Sequence, residues 1–168
     1  MALDLRPEGH PDRSDSLHEL AHCLSHRYNK HGSIADLEEA ITFGRAALEL
    51  HAPGHSGHAV ILSNLANDLR RRFLEDGKNT DLDEAISLHQ AALDLRPKGH
   101  PERLGSLRDL ALCLSGRRDE QCFITELEEV ITSDRGVLAL STLSLLRCYP
   151  FQYCRYHDEK VSARWREC

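Results

Sequence analysis

Residues 18–22 of the sequence are His-Glu-Leu-Ala-His, which matches the His-Glu-x-x-His pattern of zinc proteases. On a helix the two histidines share one face and can reach the same ion, and the glutamate can act as a general base. No third ligand stands at a familiar spacing, although His26 continues the stripe. We therefore interpret the segment as a polar helix face. Adventitious zinc or nickel affinity of His18, His22 and His26 is the alternative.

Residues 81–86, Asp-Leu-Asp-Glu-Ala-Ile, place several carboxylates together, as a pair of catalytic acids would require. Closely similar phrases stand at 36–41 and 126–131, and each copy is 45 residues from the next. Because the carboxylates recur with each copy, we interpret them as the solvated first turn of a helix, near the positive end of its dipole. Thr80 followed by Asp83 predicts a capping box at this helix start.

A fixed period of this length is typical of a solenoid built from stacked repeats. Each copy contains two stretches whose apolar residues recur at helical spacing, with Gly32 or Gly77 between them in the first two copies. Each repeat is therefore predicted to be a helical hairpin. The first-helix stripe is formed in the three copies by Leu17, Leu20, Ala21, Leu24 and Tyr28; Leu62, Leu65, Ala66, Leu69 and Phe73; and Leu107, Leu110, Ala111, Leu114 and Arg118.

The period predicts three hairpins, at residues 10–51, 55–96 and 100–140, preceded by the end of an earlier helix at 1–9. The repeat array thus spans 1–140. The pattern then stops, and 141–168 holds half of the six cysteines and the single Trp. We predict that this segment is a non-repeat tail, partly disordered or frame-shifted, with a divergent terminal cap as the alternative.

Histidines recur in the loops between the hairpins, as His10, His55 and His100, within Gly-His phrases. They are not expected to share a metal ion, because zinc ligands lie ~2 Å from the ion whereas stacked helices lie ~8–10 Å apart. We expect these histidines to pack against the turn or to hydrogen-bond to it.

The composition is that of an ordinary soluble domain, with 40% hydrophobic and 29% charged residues and a formal charge of −6. No apolar run approaches the ~20 residues that cross a bilayer, so a cytoplasmic protein with no membrane association is predicted. The mild acidity argues against nucleic-acid binding, which normally requires a basic surface. The cysteines form no Cys-x-x-Cys pair and are interpreted as isolated thiols.

The repeated residues resemble the tetratricopeptide repeat, whose usual length is about 34 residues. The matching positions are Leu17, Leu20, Ala21 and Leu24 on the first helix, and Ala40, Ala47 and Pro53 on and after the second. Gly44 and His89 depart from the pattern, since the family usually has an aromatic residue there. The longer period is similar to that of kinesin light chains and, more closely, of large fungal array proteins.

The resemblance implies an all-α fold, an α-solenoid of tandem antiparallel helical hairpins with three hairpins plus a partial N-terminal helix. It also implies a protein–protein interaction scaffold with no catalytic residue, metal or cofactor. In such arrays, first-helix residues outside the core line a concave groove for a protein or peptide. The candidate peptide-binding residues here are His18, His22, Ser63, Asn67, Arg70, Arg71 and Arg108. Their basic character suggests an acidic peptide as the partner.

A second hypothesis makes the chain a regulatory or sensor segment of a larger fungal enzyme. In the fungal proteins that it resembles, the array often adjoins a caspase-like protease or an NTPase domain, neither of which is in these residues. Continuation of the open reading frame into such a domain would favour this second hypothesis.

Overall fold

A computed structural model describes residues 6–51 and 57–116 of the chain. These residues form five α-helices and no strand, which confirms the all-α prediction. The helices are α1 (Arg13–His31), α2 (Ile34–Leu50), α3 (His58–Asp76), α4 (Asn79–Asp94) and α5 (Arg103–Ser115). The predicted second helix of the third hairpin and the tail at 141–168 lie outside the described residues, as does most of the predicted helix end at 1–9.

Glycine ends the first helix of each complete hairpin. Gly32 and Gly77 adopt left-handed backbone conformations, with φ of 70° and 73°. In this conformation their N–H groups donate to the carbonyl oxygens of Tyr28 and Phe73, at 2.7 and 2.8 Å. Residues with a Cβ are disfavoured in this conformation. Glycine therefore lets the chain reverse within two residues and begin the antiparallel helix.

The predicted capping box at Thr80 is wrong. Helix α4 begins at Asn79, so Thr80 lies within its first turn, and the residue at the N-cap position is Lys78. The side chain of Asp76 instead accepts a hydrogen bond from the backbone N–H of Lys78 at 3.1 Å, which fixes the turn before the helix starts. The sequence pattern located the helix start two residues too late.

The apolar stripes form the core within and between the hairpins. Leu37, Leu69 and Leu82 are at most 1% exposed, and Ala40 and Ala85 are completely buried. Alanine at these positions allows the paired helices to approach closely. The predicted core positions Leu20, Tyr28, Phe73, Leu48 and Leu93 are only partly buried.

Successive hairpins pack with α2 against α3 and α4 against α5, while the first helices α1, α3 and α5 lie side by side. Gly44 of α2 lies so close to α3 that a Cβ there would be 3.3 Å from Cδ1 of Leu65. Each new hairpin therefore covers the second helix of the preceding one. This arrangement is the predicted solenoid of stacked hairpins.

A buried arginine joins the second hairpin to α5. Arg96 follows the end of α4 and is 5% exposed. Its Nη1 donates to the hydroxyl oxygens of Ser63, at 2.9 Å, and Ser106, and its Nη2 donates to Glu102 at 2.9 Å. The charge is thus compensated by acceptors from α3 and from the start of α5, as a buried guanidinium requires.

The same arrangement occurs two repeats earlier and is replaced in the middle copy. Arg6 donates to the hydroxyl of Ser16, just as Arg96 donates to that of Ser106. The equivalent position in the middle copy is His51, whose ring lies 5.6 Å from that of His58. The first two hairpins therefore meet at a pair of histidines, whereas the second hairpin and α5 meet at an arginine.

Across the part of the chain that the structure describes, no helix is long and apolar enough to span a membrane.

Candidate functional site

Polar side chains connect the first helices of the three successive repeats. Nδ2 of Asn64 on α3 lies 2.9 Å from Nε2 of His18 on α1, and Nδ2 of Asn67 donates to Asp109 on α5 at 3.5 Å. A third connection joins Ser25 on α1 to Asp68 on α3. We call this set of side chains the first-helix row; it consists of His18, Ser25, Asn64, Asn67, Asp68, Arg71, Arg108 and Asp109.

Asp68 is the central buried charge of the row. It is 3% exposed, its Oδ2 accepts a hydrogen bond from the Ser25 hydroxyl at 2.6 Å, and its Oδ1 accepts one from Nη1 of Arg71 at 2.5 Å. Burial raises the pKa of this carboxyl, and the bonds from Ser25 and Arg71 act in the opposite direction. Asp68 therefore holds Arg71 in place at the edge of the row.

Asp109 has the same role on α5 but is more exposed. Nε and Nη2 of Arg108 both lie 3.2 Å from its Oδ1. The Arg108 side chain is 60% exposed, whereas that of Asp109 is 19% exposed. The ion pair thus lies at the surface, where solvent screens it strongly and a ligand can reach the guanidinium.

The two histidines of the His-Glu-x-x-His segment lie in different environments. His18 is half-buried beside Asn64, while His22 is exposed. Burial lowers the pKa of His18, opposed by the carboxylates of Glu19 and Asp15, and this favours the neutral ring. Within residues 6–51 and 57–116, no three His, Cys, Asp or Glu side chains are grouped so that they could hold a metal ion.

Two of the candidate peptide-binding residues lie behind the row. Ser63 is 9% exposed and its hydroxyl accepts the hydrogen bond from buried Arg96. Arg70 is half-buried, its Nε is inaccessible, and its charge acts on the fully buried His89 and Cys113. These two residues therefore face the junction of α3, α4 and α5, and the structure places them apart from the surface side chains of the row.

The prediction that the carboxylates of the acidic phrase all face water is wrong for the first one in each of the first two copies; the third copy, at 126–131, lies outside the described residues. Asp36 and Asp81 are 8% and 4% exposed. Asp81 accepts two hydrogen bonds from Arg72, at 2.6 and 2.7 Å, and Asp36 is bound in the same way by Arg27. These bidentate pairs tie the second helix of each hairpin to the first.

Those ion pairs explain the pKa values of the groups involved. The hydrogen bond from Arg27 lowers the pKa of Asp36, and the bond to Asp81 raises the pKa of Arg72. These shifts favour the charged forms of Asp36 and Arg72, and both pairs have a structural role.

The loop histidines His10 and His100 hydrogen-bond to their own turns, as predicted. Nδ1 of His10 accepts from the N–H of Asp12 at 3.2 Å, and Nδ1 of His100 accepts from that of Glu102 at 3.1 Å. His55 lies outside the described residues.

Sequence reasoning missed the acceptors that organise the row, Asp68 and Asp109, and the bridging Asn64. One signal was available for Asp68: it occupies the position of Cys23 and Cys113 in the other two copies. A carboxylate at a position otherwise held by a small thiol indicates a local partner, here Arg71 three residues later.

The comparison with protein families identifies the repeats. The family model for the tetratricopeptide repeat matches residues 13–56 and 58–102, which together make up more than half of the chain. No curated protein and no solved structure matches the sequence. The two matched segments begin 45 residues apart and contain the hairpins α1–α2 and α3–α4. The chain belongs to the tetratricopeptide repeat family.

Proposed function

We propose that this protein is a non-enzymatic interaction scaffold that binds a peptide segment of another protein across the first-helix row. Tetratricopeptide repeats generally mediate protein–protein interaction and are non-catalytic elements. Stacked repeats create extended surfaces on which a partner contacts several hairpins at once. The row is a surface of this kind, since its members come from α1, α3 and α5.

The observation that supports the proposal most strongly is the orientation of the two arginines. Nη1 of Arg71 donates a hydrogen bond to Asp68, and Nη2 of Arg71 makes no hydrogen bond to the described residues. Arg108 is 60% exposed beside Asp109. Both guanidinium groups are thus held by an aspartate while donors remain for a ligand, and holding them in place lowers the entropic cost of binding.

The donor chemistry of the row favours a peptide with carboxylate side chains or a carboxylate end. Arg71, Arg108 and Asn67 all donate hydrogen bonds, and arginine suits planar, bidentate carboxylates. Asp68 and Asp109 offset the arginine charges, so the attraction depends on directed hydrogen bonds more than on net charge. We therefore expect affinity to fall only moderately between low and physiological salt.

The other candidate residues have distinct roles in this proposal. Exposed His22 and half-buried His18 contact the peptide at the α1 end of the row. Ser63 and Arg70 do not contact the peptide in this proposal. They support the junction that positions α5 beside α3.

The test compares two exposed arginines that each pair with an acidic residue. The Arg45 side chain is 44% exposed and pairs with Glu84 between the second helices α2 and α4, away from the row. A fluorescein-labelled peptide containing four glutamates is titrated with wild type, Arg108→Ala and Arg45→Ala, and binding is followed by fluorescence anisotropy.

We expect Arg108→Ala to weaken binding about tenfold, the equivalent of one charge-assisted hydrogen bond. Arg45→Ala is expected to bind as wild type does. Equal binding by all three proteins would show that the first-helix row is not the binding surface. A peptide with lysine in place of glutamate tests the partner's charge, and equal affinity for both peptides would contradict the acidic preference.

A further inference from the structure

His89 is a completely buried histidine at the junction of α3, α4 and α5. It is 0% exposed and occupies the position on α4 that Gly44 occupies on α2. Gly44 faces Leu65 of the following first helix. The equivalent residue for His89 is Leu110 of α5, which is 1% exposed. An imidazole therefore stands where the preceding repeat has no side chain, between the second hairpin and α5.

Neither ring nitrogen of His89 has a hydrogen-bond partner among the described residues. A neutral imidazole has one donor and one acceptor nitrogen, and leaving these unsatisfied in a buried site is costly. An imidazolium carries two donors and a full charge, and burying it without a partner costs far more. The site accommodates the neutral ring much better than the charged one.

The charged groups around His89 come from all three helices. Asp109 on α5 favours the protonated ring, while Arg70 on α3 and Arg96 at the end of α4 disfavour it. Asp109 is already bound by Arg108 and Asn67. Nearby Cys113 is also 0% exposed, and burial raises the pKa of its thiol to about 12, so it contributes no negative charge.

From this geometry we infer that His89 makes the docking of α5 on α4 dependent on pH. Helix α5 stays docked while the imidazole is neutral, and acidification releases it, because the protonated ring reaches water only when the junction opens. Contacts in a solenoid are limited to neighbouring repeats, so one junction can open without unfolding the whole stack.

The direction and range of the effect follow from the titration of the ring. Burial lowers the pKa of His89 from 6.5 to about 4. The open state therefore binds more protons than the docked state between these values, and docking is strongest above pH 6.5 and weakens as the pH falls towards 4. From pH 8 to pH 5 the opening constant of α5 is expected to rise on the order of thirtyfold through this one group.

The release of α5 also has a consequence for binding. Arg108 and Asp109 lie on α5, so its release would remove one end of the first-helix row. This consequence rests on the proposed function, whereas the docking of α5 does not and is tested separately.

Native-state amide hydrogen exchange in α5, corrected for the intrinsic exchange rate, measures the opening constant at pH 8 and pH 5. The variants are His89→Leu, which fills the site with an apolar side chain, and His26→Gln, which removes an exposed histidine of α1. Wild type and His26→Gln should show a rise on the order of thirtyfold, and His89→Leu should lack this component. An equal rise in wild type and His89→Leu would overturn the inference.

An NMR titration of the histidine side chains in wild type tests the same inference without a variant, so it decides the matter even if His89→Leu does not fold. We expect the pKa of His89 to lie well below the ordinary histidine value of 6.5, and the ring to titrate together with the loss of α5 amide protection. If the pKa of His89 lies at the ordinary value, the inference is wrong.

Discussion

At the scale of single residues, ion pairs between arginine and a carboxylate serve three purposes in this protein. Arg72 and Asp81 tie the two helices of a hairpin together, and Arg96 joins the second hairpin to α5. Arg71 is instead held by Asp68 at the edge of the first-helix row. The elements that each pair joins distinguish these purposes, because the Arg71–Asp68 and Arg72–Asp81 side chains are buried to a similar extent.

Arg72 and Asp81 are expected to be strongly coupled. Their side chains are 21% and 6% exposed, and two hydrogen bonds join them. Replacing either with alanine should lower the free energy of unfolding by ~1–3 kcal/mol, because a charged partner is left in a poorly solvated site. Urea denaturation of both single variants and the double variant gives the coupling energy. Strictly additive losses would show that the pair does not act as a unit.

This pair also shows where prediction from the sequence reached its limit. The repeat period located the acidic phrase at the start of each second helix, and the structure agrees for α2 and α4. It did not reveal that Asp81 turns inwards, because the partner Arg72 lies nine residues earlier, across the hairpin turn. A period indicates which positions are equivalent, whereas the geometry of the turn decides which side chains meet.

At the scale of the helices, the turn glycines Gly32 and Gly77 determine where α1 and α3 end. Gly77→Ala should destabilise the protein by ~1–2 kcal/mol, because alanine is strained at a φ of 73°. Gly77→Asn should cost less, since asparagine tolerates this conformation better. Thermal unfolding measures both.

Gly105 is the control for this prediction. It lies inside α5, and a Cβ added there would have no heavy atom within 4 Å. Gly105→Ala should therefore stabilise the protein by ~0.5–1 kcal/mol through helix propensity. A loss of stability at Gly105 similar to that at Gly77 would contradict the conformational explanation.

Helix α3 contains one leucine in the core and one at the surface, and replacing each of them compares the two environments. Leu69 is 0% exposed and Leu74 is 45% exposed. Leu69→Ala should lower the free energy of unfolding by ~2–5 kcal/mol, since it removes a buried side chain and leaves a cavity. Leu74→Ala should change it by less than ~0.5 kcal/mol. Chemical denaturation of both variants checks this, and similar losses would contradict the assigned orientation of α3.

At the scale of the whole molecule, the stacked hairpins follow from the sequence more directly than the surface does. Leucine and alanine at helical spacing, repeated every 45 residues, predict hairpins that cover one another, and α1 to α5 have this arrangement. The family resemblance indicated the first helices as the binding side. The aspartates that hold Arg71 and Arg108 escaped prediction, because a period shows which positions are equivalent and not which side chains meet on the folded surface.

His89 shows the same limit within the core. The sequence marked it only as a departure from the aromatic residue that is usual in the family. Its burial, with no hydrogen-bond partner among the residues that the structure describes, depends on the packing of α5 against α4. Such a residue cannot be identified from a period, since the first copy has glycine at this position and leaves no space for an imidazole.

We propose that the first helices bind an acidic peptide through the first-helix row. The most direct measurement is an NMR titration of the isotope-labelled protein with the four-glutamate peptide at pH 7.5. We predict saturable shifts concentrated in α1, α3 and α5 and largest around Asn67, Arg71 and Arg108. Saturable shifts concentrated in α2 and α4 around Arg45 and Glu84, or no saturable shift, would contradict the claim.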